Sequence, residues 1–273
     1  MTARKSPPVH IGCSGFSYDH WKGVFYPEGL PKNRWLVYYC GKFRTVELNV
    51  TFYRLPREST FRKWYEETPQ SFITSVKGSR FITHVKKLKD PALPLQRFFE
   101  RIGPLRDKIG VVLWQLPPSF KADPGRLRDF LGELKRYKAR NAFEFRNESW
   151  VRDGAVVDAL SENGCALCMA DWPEFLHDLP LTTGFVYIRR HGHGTYGGSY
   201  TGRELREDAA RIKRYRDGGR EVFIYFNNDA QGYAPKNALE LAQMVNGKKS
   251  RTTGAEDDKQ RGGKDLLWAG RHA

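Results

Sequence analysis

Long apolar runs are missing from this sequence of 273 residues. None approaches the roughly 20 residues that a bilayer-spanning helix needs, so no membrane partner is expected. Cysteine is scarce as well, at four residues (Cys13, Cys40, Cys165, Cys168), which excludes a disulfide-stapled scaffold and suits free thiols in a reducing compartment. Met1 to Pro8 carries a basic start without the apolar stretch of a secretory leader. A flexible N-terminus over 1–8 and a cytoplasmic location are the expectations. Cys165-x-x-Cys168 has the spacing of half a zinc or redox site, yet it lies in the apolar stretch Cys165-Ala166-Leu167-Cys168-Met169-Ala170. On a strand, residues i and i+3 point to opposite faces, so inert buried thiols are expected. Internal repeats and nucleotide-cofactor motifs are absent too, leaving the cofactor unknown and a divalent metal as a candidate. Acidic residues are in deficit: 31 Asp and Glu against 46 Lys and Arg give a net charge of +15. Such a field draws small anions and polyanions, nucleic acid among them.

What is present is an alternation of strand and helix patterns. Strand-like stretches fall at roughly 9–16, 45–50, 73–78, 109–116, 140–146, 165–171, 185–191 and 221–228. Helix-like stretches lie between them, near 32–42, 58–68, 94–107, 124–138, 153–163, 204–217 and 235–246. Start signals include Ser59 or Thr60, Asp123-Pro124 and Asp153, and Gly164, Gly218 and Gly219 stand where left-handed caps are wanted. Helix 204–217, rich in arginine, reads as a solvated outer helix. Eight βα units predict an α/β fold, a (β/α)₈ TIM-barrel-like closure of about 250 residues. One connection, after Asp171, is too short and proline-broken for a full helix, which makes the link between strands six and seven irregular. A single barrel domain over 9–246 is expected, followed by a disordered basic tail over 247–273.

The active end of such a barrel is the C-terminal rim of its strands, and side-chain alternation selects the residues there. Phe185-Val186-Tyr187-Ile188-Arg189-Arg190-His191 puts Val186 and Ile188 on one face and Tyr187, Arg189 and His191 on the other. The same parity turns Glu47 and Asn49, Lys77, and Glu144 with Arg146 inward. Ser14, Gln115, Asp171 and Asn227 end their strands. Buried charges must be paired, so some pairing, such as Glu144 with Arg189, is expected inside the cluster. Glu47, Glu144, Lys77 and Asp171 form the candidate catalytic set. The two glutamates would transfer protons, and Lys77, Arg189 and His191 would bind an anion beside the loops 192–198 and 228–234. Ser14, Asn49, His84, Gln115, Arg146, Asn227 and Asn228 join the candidate binding set as polar contacts, and Tyr53, Trp150, Tyr196 and Tyr200 as aromatic walls. A metal would find N/O ligands in His191-x-His193 with Glu47, Glu144 and Asp171.

The assembled motifs resemble the YecE-like family, known as domain of unknown function 72, over about residues 9–246. They begin with Ile11-Gly12-Cys13-Ser14-Gly15-Phe16-Ser17-Tyr18 and Trp21, Gly23, Phe25, Tyr26 and Pro27. Glu47-Leu48-Asn49-Val50-Thr51-Phe52-Tyr53, Lys77, Ile82-Thr83-His84 and Gln115-Leu116-Pro117-Pro118-Ser119-Phe120 follow. Glu144-Phe145-Arg146, Ser149-Trp150, Asp171-Trp172-Pro173, Arg189, His191-Gly192, Tyr196, Tyr200 and Phe226-Asn227-Asn228-Asp229 complete the set. Cys13 and Val50 depart from the family's usual small or polar residues. The resemblance implies a TIM-barrel-like fold and no established reaction. The family's likeness to endonuclease IV and sugar-isomerase barrels is one of fold.

Two functions follow as expectations. One is an enzyme, a hydrolase or an isomerase or lyase, acting by acid/base chemistry on a small anionic or polyhydroxylated, perhaps phosphorylated, substrate. The other is a nucleic-acid binding or processing protein, with basic residues beside aromatics in Phe61-Arg62-Lys63-Trp64-Tyr65 and in Lys86-Lys87-Leu88-Lys89.

Overall fold

The computed structural model of the protein describes residues 6–171, 179–193 and 197–247. Its strands are β1 (Val9–Cys13), β2 (Thr45–Leu48), β3 (Ile73–Lys77), β4 (Ile109–Leu116), β5 (Arg140–Phe145), β6 (Ala166–Leu167), β7 (Met169–Ala170), β8 (Phe185–Arg190) and β9 (Glu221–Phe226). Its helices are α1 (Trp35–Cys40), α2 (Val50–Tyr53), α3 (Glu58–Glu67), α4 (Ala92–Ile102), α5 (Pro124–Leu134), α6 (Ser149–Arg152), α7 (Gly154–Glu162), α8 (Gly202–Asp217) and α9 (Tyr233–Val245). A single π-helical turn covers Phe81–Val85. The short α2, α6 and π turn have too few residues for a periodic signal and were not expected from the sequence.

All strand pairs are parallel, in two sheets ordered β2-β3-β4-β5-β6 and β7-β8-β9-β1. Two seams join the sheets into a barrel. At one seam β6 and β7 are a single strand interrupted at Cys168, whose N–H still donates to Phe143 O at 2.8 Å. Thr182 Oγ1 accepts from Leu167 N–H at 2.9 Å and donates to Cys165 O at 2.7 Å, supplying the partners that a neighbouring strand would otherwise give. At the other seam Ser14 bridges to Glu47, and Gly15 N–H donates to Glu47 O at 2.7 Å. The expected eight-unit α/β barrel is therefore the fold. The irregular connection expected after Asp171 leads from β7 to β8; its residues 172–178 lie outside the described residues, as do 1–5 and the tail from 248 onward.

Helix starts follow their local chemistry. Asp123 and Asp153 accept from Arg126 N–H (3.0 Å) and Ala155 N–H (2.9 Å), and Thr201 with Glu204 forms a reciprocal capping box on α8. Two expectations are corrected. Ser59 and Thr60 lie inside α3, whose first residue is Glu58, and Gly218, at φ −79°, ends α8 without the left-handed turn that Gly219 adopts at φ +77°.

The barrel interior is layered by polarity. At its N-terminal end His10 stacks on Phe223 at 4.4 Å, and Glu221 pairs with both His10 and Arg140. The middle holds Leu113, Ala142, Cys168, Tyr187 and Tyr225, with Tyr225 Oη bonded to Thr45 Oγ1 (2.6 Å) and Ser75 Oγ (2.9 Å). Outside the strands a second apolar layer packs the helices, including Trp114 against Phe98 and Phe130. Cys165 belongs to the outer layer and Cys168 to the inner one, the opposite-face arrangement expected of the pair. Burial pushes the Cys165 thiol up to about 12 and raises the Cys168 thiol well above its ordinary value.

Gly12 tests the closure. A Cβ there would stand 2.4 Å from the carbonyl oxygen of Thr45, a backbone atom that cannot swing aside. Gly12→Ala should lower stability by about 1–3 kcal/mol, the usual cost of overpacking. Denaturant unfolding with an unchanged m-value would read it, and an undiminished midpoint would show that β1 and β2 are less closely joined.

Candidate functional site

Above the apolar middle of the barrel interior a charged cluster fills the C-terminal mouth, and Arg189 stands at its centre. Its parity on β8 turns it inward above Tyr187, and it is fully buried. Arg189 Nη1 donates to Glu144 Oε2 at 2.7 Å, while Nη2 and Nε donate to Glu47 Oε1 at 2.8 and 3.2 Å. The pairing of Glu144 with Arg189 anticipated from the sequence is present. Glu47 also accepts from Ser14 Oγ at 2.6 Å and Tyr187 Oη at 2.7 Å. Glu144 pairs in addition with Arg146, two residues on along the same face. Burial pushes the Glu144 carboxyl up, but the charges of Arg146 and Arg189 outweigh it and hold the group well below the usual carboxylate range. Both carboxylates are thus engaged in holding guanidinium groups.

His191 continues the row. Arg146 Nη2 and Arg189 Nη1 reach its Nε2 at 2.9 and 3.1 Å. Arginine only donates, so Nε2 is the acceptor and the ring proton sits on Nδ1, which faces Asp171 Oδ1 at 3.3 Å. Burial and the neighbouring guanidinium of Arg189 keep the ring's pKa below its ordinary value despite the Asp171 bond. His191 is therefore neutral at physiological pH. Asp171 accepts further from His191 N–H (2.6 Å) and from Tyr200 Oη, and pairs with Arg190 Nη1 at 3.2 Å. Its own burial works against ionisation, and these bonds overcome it to keep the carboxyl below its ordinary pKa.

Lys77 ends β3 on the inner face and is only 8% exposed. Among the described residues its Nζ has no carboxylate within 4.0 Å, and it stands 4.2 Å above the ring of Phe52 on α2. Thr51 Oγ1 donates to Lys77 O at 2.6 Å, which fixes the strand end. Gly78 then lets the chain pass Trp114, since a Cβ there would lie 2.3 Å from the indole. Burial, helped by Arg189 and only partly offset by Glu144 and Glu47, lowers the Lys77 pKa to about 7. The following π turn carries His84, whose ring meets Phe52 edge-on at 4.9 Å; burial and the Lys77 charge lower its pKa to about 4. π turns and non-glycine residues at positive φ gather at functional sites. Here Lys87, Leu88 and Asp90, at φ +47°, +67° and +43°, follow the π turn directly.

The remaining sequence candidates divide. Gln115 is inward, because Val111 and Leu113 of the same strand belong to the inner layer. Asn49 Nδ2 approaches Asn227 Oδ1 at 3.5 Å across the rim. Trp150 leaves the set: it is fully buried, stacks on Phe145 at 4.8 Å and donates to Phe120 O, so it packs α6 against the barrel's outside. Asn228 is also fully buried and ties Gly198 O (2.9 Å) to Asn237 Oδ1 (3.0 Å), behind the mouth. Tyr200 is likewise no exposed wall; its hydroxyl spans Asp171 and Gly192 N–H. Tyr53 is 78% exposed and lines a lateral cleft of about 910 Å³ with Gly15, Tyr18, Lys32, Asn49 and Arg54. Tyr196 lies outside the described residues. His193 turns outward to Glu204 at 3.0 Å, away from His191. Among the described residues no three His, Cys, Asp or Glu side chains converge as a metal-holding group.

The sequence reading missed Arg190 and Phe52. Alternation turns Arg190 outward, where a buried guanidinium needs a carboxylate from a helix. Asp208 of α8 supplies it at 3.0 Å, and the Arg190 guanidinium also stacks over Tyr200 at 4.2 Å. Phe52 had no signal beyond its place after Asn49.

The fold and site define a (β/α)₈ barrel with a buried charge network at its C-terminal mouth. Residues 10–261 match the family described as "Protein of unknown function DUF72", and the chain belongs to that family. The protein YunF of Bacillus subtilis is 24% identical over 271 residues, spanning 87% of this chain and 94% of its own length. The crystal structure of a DUF72 family protein from Thermotoga maritima is 33% identical, with a TM-score of 0.77 over 88% of this chain and 99% of the other. One from Enterococcus faecalis, 20% identical, has a TM-score of 0.74 over 87% and 95%.

The Lys77 shift fixes a pH dependence. Its folded pKa lies below the 10.5 of an ordinary lysine, so the unfolded chain binds more protons between about 7 and 10.5 and stability rises with pH across that window. Below pH 7 the burial penalty is present in full. Lys77→Met should therefore raise Tm, and by more at pH 6 than at pH 9. An equal change at both pH values would mean that Lys77 carries its ordinary charge in the folded chain.

Proposed function

We propose that this protein is an enzyme that binds a small anionic or polyhydroxylated substrate at the C-terminal mouth of the barrel and moves protons on it. The observation that carries this reading is the balance of the buried network. Glu47 and Glu144 are matched by Arg189 and Arg146, while Lys77 stands beside them with no carboxylate of its own among the described residues. A carboxylate or phosphate entering the mouth would complete that charge balance. On this reading the roles differ from those expected from the sequence pattern. Glu47 and Glu144 position the guanidinium groups, and Lys77, with a pKa of about 7, is the group matched to proton transfer at neutral pH. Arg146 faces the anion, Asn49, Gln115 and Asn227 orient hydroxyls, and His191, whose Nε2 accepts from Arg146 and whose Nδ1 proton faces Asp171, positions that guanidinium. This favours isomerase or lyase chemistry over hydrolysis, since among the described residues Glu47 and Glu144 are both taken by arginine.

Inorganic phosphate tests the anion site. It should raise Tm in proportion to the logarithm of its concentration once saturating, and Arg146→Gln should weaken apparent binding by about tenfold, the loss of one charge-assisted contact. A panel of sugar phosphates and hydroxy acids in D₂O, followed by NMR, should show exchange of a carbon-bound proton in at least one member. A Tm indifferent to phosphate, together with no exchange across the panel, would overturn the reading.

A second reading, binding of single-stranded nucleic acid, is favoured by the net charge of +15 and by the lateral cleft. That cleft sets Lys32, Arg54 and Lys63 beside Tyr53 and Trp64, pairing phosphate contacts with surfaces on which bases stack. Titration with a single-stranded oligonucleotide should then show affinity falling linearly in log–log form with salt. No binding at low salt ends this reading.

A further inference from the structure

We propose that Lys77 is an imine-forming lysine, whose ε-amine adds to the carbonyl carbon of a small anionic aldehyde or ketone held at the barrel mouth. The proposal rests on the anion-binding reading above and names its substrate class as carbonyl compounds. Four features of the site carry it.

An amine nucleophile must be reachable, must keep its lone pair, and must stand where a positive charge is tolerated once the imine forms. Lys77 meets the first condition at the C-terminal end of β3 on the inner face, where it keeps 8% exposure. It meets the second because the carboxylates that would otherwise hold it as an ammonium are already taken. Glu47 is bound by Ser14, Tyr187 and Arg189, and Glu144 by Arg189 and Arg146. Phe52 covers the ammonium position at 4.2 Å and excludes water from that side. The third condition is met by Phe52 again and by the two carboxylates below, whose field offsets the charge of an iminium. Finally, a contact from the Arg146 guanidinium, held in place by Glu144 and His191, would seat the substrate's carboxylate or phosphate beside the amine.

The step balances as follows. The Nζ lone pair forms a bond to the carbonyl carbon, and the carbonyl oxygen takes up a proton to give a carbinolamine. That hydroxyl leaves as water after a second protonation, with the nitrogen losing one proton in the addition, so carbonyl, amine and one proton give iminium and one water. Loss of a proton from the adjacent carbon then sends that bond's electron pair toward the iminium nitrogen to give an enamine. A proton returns to a carbon of the enamine, and addition of water to the iminium restores the amine and the carbonyl and releases the proton taken up at the start. No oxidant or reductant is consumed.

Trapping tests it directly. The full-length chain is incubated at pH 7 with glyoxylate or glyceraldehyde 3-phosphate and sodium cyanoborohydride, with glycolaldehyde as the uncharged control, and digested for peptide mass mapping. At pH 7 a lysine of pKa about 7 holds roughly a thousandfold larger neutral fraction than an ordinary one at 10.5. The expected result is a saturable secondary-amine adduct on Lys77 ahead of every other lysine, slower with glycolaldehyde, with a trapping rate that rises through a midpoint near pH 7. Lys77→Arg should lose that adduct while retaining cooperative unfolding. Adducts scattered over other lysines with Lys77 unmodified would overturn the proposal. If phosphate still raises Tm in that case, imine formation alone has failed; if phosphate has no effect either, the anion-binding reading falls with it.

Discussion

A fully buried guanidinium has to be matched, and the rest of this barrel is arranged around matching Arg189. Removing one partner of such a buried pair costs about 3–5 kcal/mol, because the other charge is left without compensation in a poor dielectric. That penalty explains why Glu47, besides its bonds from Arg189, receives hydrogen bonds from Ser14 and Tyr187. It also explains why Glu144 is shared between two arginines. Each added bond lowers the desolvation cost of the carboxylate and fixes its rotamer. Both carboxylates are taken by arginine, which leaves Lys77 without a counter-ion among the described residues.

From this follows a division of labour that residue type alone does not reveal. Carboxylates at a barrel mouth invite assignment as acid and base, yet a carboxyl held between two guanidinium groups cannot take up a proton near neutral pH. His191 is constrained in the same manner, since its Nε2 lone pair faces two arginine donors and its Nδ1 proton faces Asp171. The group poised for neutral pH is the amine, displaced from its usual range by burial. Arg190, on the opposite face of β8, extends the constraint outward by gripping Asp171 and Asp208, so the orientation of His191 is tied to α8.

Much of this was legible in the sequence. The period-two alternation of Tyr187, Arg189 and His191 against Val186 and Ile188 placed the charged row inside. The same logic placed Glu47, Lys77, Glu144 and Arg146 on one rim, and the need to pair buried charge anticipated the Glu144–Arg189 bond. Other features had no one-dimensional signal. Trp150 and Asn228 follow strand ends, as site residues do, but whether such a side chain turns to the mouth or to the core depends on neighbours distant in sequence, Phe120 and Phe145 for one and Gly198 and Asn237 for the other. Phe52 lies on a helix of four residues, too short for periodicity to show. The parity of β4 has no one-dimensional signal either, because Val111-Val112-Leu113-Trp114 is apolar on both faces, as a strand between a barrel core and a helix layer must be.

The seam between β1 and β2 has a consequence for how such a molecule can change. Ser14 and Glu47 form the bridge that shuts the ring and also the first bonds of the charged cluster. In many barrels the lower half carries the architecture and the rim loops vary independently of it. Here one residue belongs to both, its backbone to the seam and its carboxylate to the cluster, so a new specificity could be grafted onto the loops around Lys77 and Phe52. Exchange of Glu47 would keep the main-chain bridge but would have to be accompanied by a new partner for Arg189. Evolvability is therefore unevenly distributed around the mouth: broad on the β3 side and narrow at the seam.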